Sequence, residues 1–104
     1  TPMKEQCNGL DVTIPGTSGD DVIFGTPGND VINAGDGDDI VRGDGGNDII
    51  CGGDDDDTLK GGRGKDVLLG ESGSDTLKGG AQSDRCVGGT GVDRAKKCER
   101  FGSL

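Results

Sequence analysis

Residues 25–51 read GTPGNDVIN, AGDGDDIVR and GDGGNDIIC: three nine-residue units, each a glycine-rich stretch ending in aspartate and followed by a short triplet. The unit runs on in both directions without insertion. It begins at Gly16 with GTSGDDVIF and continues past Cys51 as GGDDDDTLK, GGRGKDVLL, GESGSDTLK, GGAQSDRCV and GGTGVDRAK, ending at Lys96. Position six is aspartate in all nine units: Asp21, Asp30, Asp39, Asp48, Asp57, Asp66, Asp75, Asp84 and Asp93. Position eight is small or aliphatic throughout: Ile23, Ile32, Val41, Ile50, Leu59, Leu68, Leu77, Cys86 and Ala95. A repeat this regular marks a solenoid, whose units bury their apolar face only against one another.

The triplets at positions seven to nine, such as Val22-Ile23-Phe24 and Val67-Leu68-Leu69, suit very short strands. Alternation sends position eight to one face and positions seven and nine to the other. The first six positions must then be turns, where glycine allows tight reversal and close backbone approach. Two units make one coil, so residues eighteen apart stack. The expected fold is all-β, a parallel β-roll of about 4.5 coils from nine units. It divides the chain into an N-terminal segment 1–15, a roll 16–96 and a C-terminal cap 97–104. The first segment reads as a decayed unit, with Ile14 at position eight and Val12 where aspartate would stand.

The pattern GGxGxDxUx resembles the RTX (repeats-in-toxin) family of haemolysin-type calcium-binding repeats, over about four-fifths of the chain. The resemblance implies a right-handed parallel β-roll with Ca²⁺ held between the turns of units n and n+2. It implies as ligands the nine position-six carboxylates and turn carbonyls. The glycines of those turns are Gly16, Gly19, Gly25, Gly28, Gly35, Gly37, Gly43, Gly46, Gly52 and Gly53. They continue with Gly61, Gly62, Gly64, Gly70, Gly73, Gly79, Gly80, Gly88, Gly89 and Gly91. An all-oxygen set suits a hard cation that takes six to eight ligands. Nine units make seven stacked pairs, hence up to seven interior ions, which would move the net charge from −9 to about +5. Folding is expected to need the metal, because few side chains point inward and the stacked carboxylates repel. Gln82 and Asp55 replace glycine at position four, and aspartate tolerates left-handed geometry better. Units five and eight are therefore the weak links. Within Asp54–Asp57 the register singles out Asp57 as inward, leaving Asp55 and Asp56 exposed.

Composition supports a cation partner and disfavours others. Of 104 residues 23 are glycine and only Phe24 and Phe101 are aromatic, so no conventional core is available. A net charge of −9 argues against nucleic acid and anionic membranes, and no apolar run is long enough to span a bilayer. No signal-peptide pattern is visible, so a secreted chain would be numbered from after its removal. Absence of histidine and of CxxC argues against zinc. Four cysteines instead indicate disulfides and an extracellular setting. They depart from the family's large exported toxins and proteases, and these 104 residues hold no toxin, protease or lipase domain.

Stacking also orders the outward faces. Odd units align Phe24, Arg42, Lys60, Lys78 and Lys96 at position nine. This column either softens the field of the aspartates or meets an acidic polymer. Even units present Val31, Ile49, Val67, Leu69 and Val87, a patch to be covered by the N-terminal segment or by a second chain in a dimer; otherwise the chain is expected to be a monomer. Of three possible connectivities, the faces favour Cys7–Cys51, tying that segment across the patch. They pair Cys86 with Cys98, closing the other end beneath Phe101.

Other functional classes fit poorly. Without His, Tyr or Trp, and with serines lacking a neighbouring base, the chain offers no catalytic constellation. An EF-hand starting at Asp36 fails at Val41 and Asn47, where glycine and glutamate are required. The glycine period is nine and not three, which excludes collagen. An ice-binding row starting with Thr17 and Thr26 breaks at Gly35, Asp44 and Gly53. The expectation is an extracellular calcium-binding module, with a calcium-dependent adhesin binding a surface polysaccharide or protein as the alternative.

Overall fold

In the computed structural model, which describes residues 6–7, 9–80, 84–89, 91, 94–96, 98 and 100–102, the triplets form strands as expected. The segment before the first full unit supplies β1 (Gln6–Cys7), β2 (Leu10–Asp11) and β3 (Ile14–Pro15). The units supply β4 (Val22–Phe24), β5 (Val31–Asn33), β6 (Ile40–Arg42), β7 (Ile49–Cys51), β8 (Thr58–Gly62) and β9 (Val67–Leu69). They continue with β10 (Thr76–Gly80), β11 (Arg85–Val87) and β12 (Arg94–Lys96), before β13 (Arg100–Gly102).

Odd units stack in parallel as a five-stranded sheet, β4-β6-β8-β10-β12, and even units as a six-stranded sheet, β3-β5-β7-β9-β11-β13. Ile23 pairs with Val41, Val41 with Leu59 and Leu59 with Leu77, each a step of eighteen residues. The chain is a parallel β-roll. Its interior is one position-eight side chain thick, and Ile32, Val41, Ile50, Leu59, Leu68 and Leu77 are fully buried there. Each such side chain contributes about 2 kcal/mol.

The two ends are finished differently. Ile14 pairs with Ile32, so the decayed unit keeps its register without an aspartate. Ahead of it, β1 and β2 form an antiparallel hairpin, and β1 lies against β5 and β7. The Cys7–Cys51 disulfide fastens it there. The expected patch is not bare: Val31 and Ile49, on the strands the hairpin meets, and Val67 and Leu69 are half-buried, and Val87, on the strand paired with β13, is buried. The more exposed large apolar side chains are on the other sheet, Val22 at 63%, Phe24 at 58% and Ile40 at 47%. The tether at Cys51 holds the hairpin to the even sheet and leaves the odd sheet open. At the far end Cys86 bridges Cys98, and Cys86 pairs with Phe101, a step of fifteen residues in place of eighteen. The last coil is thus shortened, with the disulfide inside it. The backbone at Phe101 extends the sheet; its side chain lies outside the described residues.

Candidate functional site

Each turn delivers its position-six aspartate to the inside just before the strand begins. Asp30, Asp39, Asp48, Asp57, Asp66, Asp75 and Asp84 are buried, and Asp21, in the first turn, is half-buried. Asp93 lies outside the described residues. One carboxylate oxygen has a structural task. Oδ1 of Asp39 accepts the backbone N–H of Asp21, and Oδ1 of Asp48 that of Asp30, both at 2.8 Å. The pattern repeats from Asp57 to Asp39, Asp66 to Asp48, Asp75 to Asp57 and Asp84 to Asp66, at 2.7–2.9 Å. The aspartates thus form a ladder, each side chain tied to the amide one coil below. The repeat pattern alone did not reveal this, although short acidic side chains commonly bond backbone amides.

The second oxygen is different. Oδ2 of Asp39, Asp48, Asp57 and Asp66 is buried with no hydrogen-bond partner. An ionised oxygen so placed is costly unless a proton or a cation joins it. Burial accordingly raises these carboxyls from the ordinary 3.8 to about 6 for Asp39 and Asp48, about 7 for Asp66 and about 8 for Asp57. The neighbouring carboxylates of the column push in the same direction: Asp48 and Asp84 on Asp66, Asp39 and Asp75 on Asp57.

What Oδ2 faces is set by glycine at position one. A Cβ on Gly61 would stand 2.5 Å from Asp66 Oδ2 and 2.8 Å from the carbonyl oxygen of Gly79. The missing side chain leaves a recess bounded by one carboxylate of the same unit and one carbonyl a coil above. Gly43, Gly52 and Gly70 make the same recess with Asp48, Asp57 and Asp75 and with the carbonyls of Gly61, Gly70 and Gly88. Unit three differs, since Ala34 puts a buried methyl at that corner. Gly16 backs onto the Ala34 carbonyl, and Gly25 onto the Gly43 carbonyl and Asp30.

Positions two and four supply the reversals. Gly35, Gly53, Gly62, Gly80 and Gly89 at position two, and Gly37, Gly46, Gly64, Gly73 and Gly91 at position four, have positive φ. Asp55 adopts φ 72° at position four, as its short side chain permits, and Asp44 and Glu71 do so at position two. The turn around Gln82 lies outside the described residues. Asp55 and Asp56 are exposed, yet their side chains accept the N–H groups of Gly37 and Ser74 one coil away. Among the described residues no three acidic, cysteine or histidine side chains converge, so an ion here would need main-chain carbonyls as well.

The first two turns are built otherwise. Thr17 donates its N–H and its hydroxyl to Asp21 at 2.8 Å, and Thr26 does the same to Asp30 at 2.7 and 2.9 Å. Each hydroxyl in turn accepts the N–H of Gly19 or Gly28, neither of which has positive φ. Threonine thus occupies the acceptor oxygens that stay open on Asp39, Asp48, Asp57 and Asp66. These two residues were missed as part of the site. The available signal was a threonine four places before each aspartate, a spacing that closes a local turn.

A family model for the RTX calcium-binding nonapeptide repeat matches residues 15–50, 52–86 and 60–95. Neither the curated proteins nor the solved structures compared with the chain include a match.

Proposed function

The chain belongs to the RTX calcium-binding nonapeptide repeat family, and from that premise we propose that it is an extracellular structural module which coils when Ca²⁺ enters the open turns. The observation that carries this reading is the row of buried, partnerless Oδ2 atoms on Asp39, Asp48, Asp57 and Asp66, the last three each facing the glycine at position one of its own unit. The donor set is all oxygen, carboxylate plus carbonyl, and fits a hard cation. Bound calcium supplies the positive charge that lets these carboxylates remain ionised. The protein's own residues do the rest. The Oδ1 ladder fixes the carboxylates, the position-one glycines keep the recess clear, and the carbonyls of positions one to four complete the shell.

Nine units make seven pairs eighteen residues apart. In the two led by Asp21 and Asp30 the leading carboxylate is already held by threonine, which leaves five. Five divalent ions would bring the formal charge of −9 to about +1, close to neutrality. Asp39 is the weakest of the five leading positions, because the Ala34 methyl intrudes. The two disulfides fit an oxidising, calcium-rich exterior, where modules bind with dissociation constants of about 10⁻⁴ to 10⁻³ M. No catalytic role is assigned; the family is a structural calcium-binding module. Far-UV circular dichroism tests the reading: strand signal should be lost in EDTA and return with excess calcium but not magnesium. Full strand signal in EDTA at neutral pH would refute it.

A further inference from the structure

The roll is electrically two-sided, and its basic side carries an aligned column of cations with a charge pattern suited to a linear acidic chain. The odd sheet places Phe24, Arg42, Lys60, Lys78 and Lys96 side by side in strict register, all exposed. Strand spacing of about 4.8 Å sets the step, so the column is about 19 Å long. Beside it at position seven run Val22, Ile40, Thr58, Thr76 and Arg94. Not one carboxylate occupies this outward face, in a chain with 20 acidic residues.

The turns on its two borders differ. Leaving the odd strands, the turns of units two, four and six carry Pro27, Asn29, Asp44, Asn47, Arg63 and Lys65 besides the inward aspartates. Entering them, the turns of units one, three, five and seven carry Asp20, Asp36, Asp38, Asp54, Asp55, Asp56 and Glu71. The position-nine column therefore adjoins the basic border. A groove lined by Pro27, Arg42, Asp44, Gly45, Gly62 and Arg63 opens where the two meet, bringing two guanidinium-bearing residues to one concavity. Arg42 also lies over the Phe24 ring, 5.9 Å from its centre.

We infer that this edge binds a linear acidic polysaccharide, its carboxylates along Arg42, Lys60, Lys78 and Lys96 and one end seated between Arg42 and Arg63. The chemistry distinguishes this occupant from other anions. A flat anionic membrane would have to meet the acidic border as well as the column, whereas a single strand lies clear of it. Nucleic acid single strands bind through several stacking aromatics, and this face has only Phe24. A sugar acid chain matches periodic cations with hydroxyl neighbours, here Thr58 and Thr76. The column follows from the sheet register itself; only the folded state rests on the calcium reading.

The test uses the whole chain in calcium buffer, its fold checked by circular dichroism in the same sample, titrated with a ten-residue oligogalacturonate. Binding is expected at low salt and should be lost at about 0.5 M NaCl through screening. Lys60→Glu with Lys78→Glu should weaken it at least about tenfold, whereas Arg85→Glu, exposed on the opposite sheet, should change it less than about twofold. Lys60→Gln with Lys78→Gln, expected to lose about threefold, serves if the reversed pair does not fold. Three results overturn the inference: no binding by a chain shown to be coiled, binding that either lysine pair leaves unchanged (calcium bridging to the acidic turns), or tighter binding to phosphatidylserine vesicles or oligothymidylate. An uncoiled chain in calcium buffer would instead count against the calcium reading.

Discussion

The first two turns of the roll and the turns from the third onward carry the same inward aspartate but surround it differently. Asp21 and Asp30 receive a threonine hydroxyl and amide from their own unit. Asp39, Asp48, Asp57 and Asp66 keep one oxygen buried and unmatched. The closed turns have completed their hydrogen bonding before any ion arrives. On the proposed reading they form, with the Cys7–Cys51 tether beside them, the part of the roll that can order without metal. On the same reading the open turns need an ion or a proton, because burial and mutual repulsion oppose their ionised state. The difference teaches that a repeat motif specifies a position, while a threonine at position two decides whether the carboxylate there is closed by its own unit.

Protons give the largest test of this contrast, since they can replace the ion in the open turns. The folded carboxyls of Asp39, Asp48, Asp66 and Asp57 sit at about 6 to 8, above the ordinary 3.8, so between these values the roll holds more protons than the unfolded chain. Stability of the metal-free roll must then rise as pH falls from about 8 toward 4 and be lost as pH rises through the folded values. Strand signal in EDTA should reappear on acidification, and calcium affinity should fall over the same range. Circular dichroism against pH, with and without calcium, measures both.

A neutral isostere comes next. Asp57→Asn keeps an acceptor for the Asp39 amide but removes the charge, and should raise the calcium midpoint at least about tenfold. Asp21→Asn, in a closed turn, should shift it by less than about twofold. Equal shifts would erase the distinction between the two regions.

Filling the glycine corner is a steric version of the same comparison. Gly61→Ala places a methyl against Asp66 Oδ2 and should cost about 2 kcal/mol in calcium, besides weakening ion uptake. Gly28→Ala meets only the Thr26 hydroxyl, at 3.7 Å, and should cost less than about 0.5 kcal/mol. Urea unfolding midpoints compare them. Thr26→Val, which removes the hydroxyl's bonds to Asp30 and to the Gly28 amide, should cost about 1 kcal/mol, less than the filled corner at Gly61 and detectable in the same titrations.

Much of this was legible in the sequence because a nine-residue period transmits its register without error. Ile23 to Ala95 fixed the interior, the step of eighteen predicted the strand pairs, and Cys51 and Cys86 on opposite faces led to the correct partners Cys7 and Cys98. What escaped depends on contacts that a period does not encode. The Thr17 and Thr26 bonds were masked because those residues were compared along the column and not with the aspartate four places on. The exposure of Val22 and Ile40 followed from where the N-terminal hairpin comes to rest, against β5 and β7 of the other sheet, which a tether defines and hydropathy does not. The shortened last coil reflects a disulfide within a twelve-residue span and leaves no periodic trace.

Counting the ions tests the central claim most directly. Calorimetric titration of the metal-free chain, with circular dichroism followed in parallel, should give about five calcium ions taken up as the strands form. Seven ions of equal affinity would mean that the threonine-closed turns are no different from the open ones, and no uptake by a chain already coiled would contradict the account altogether.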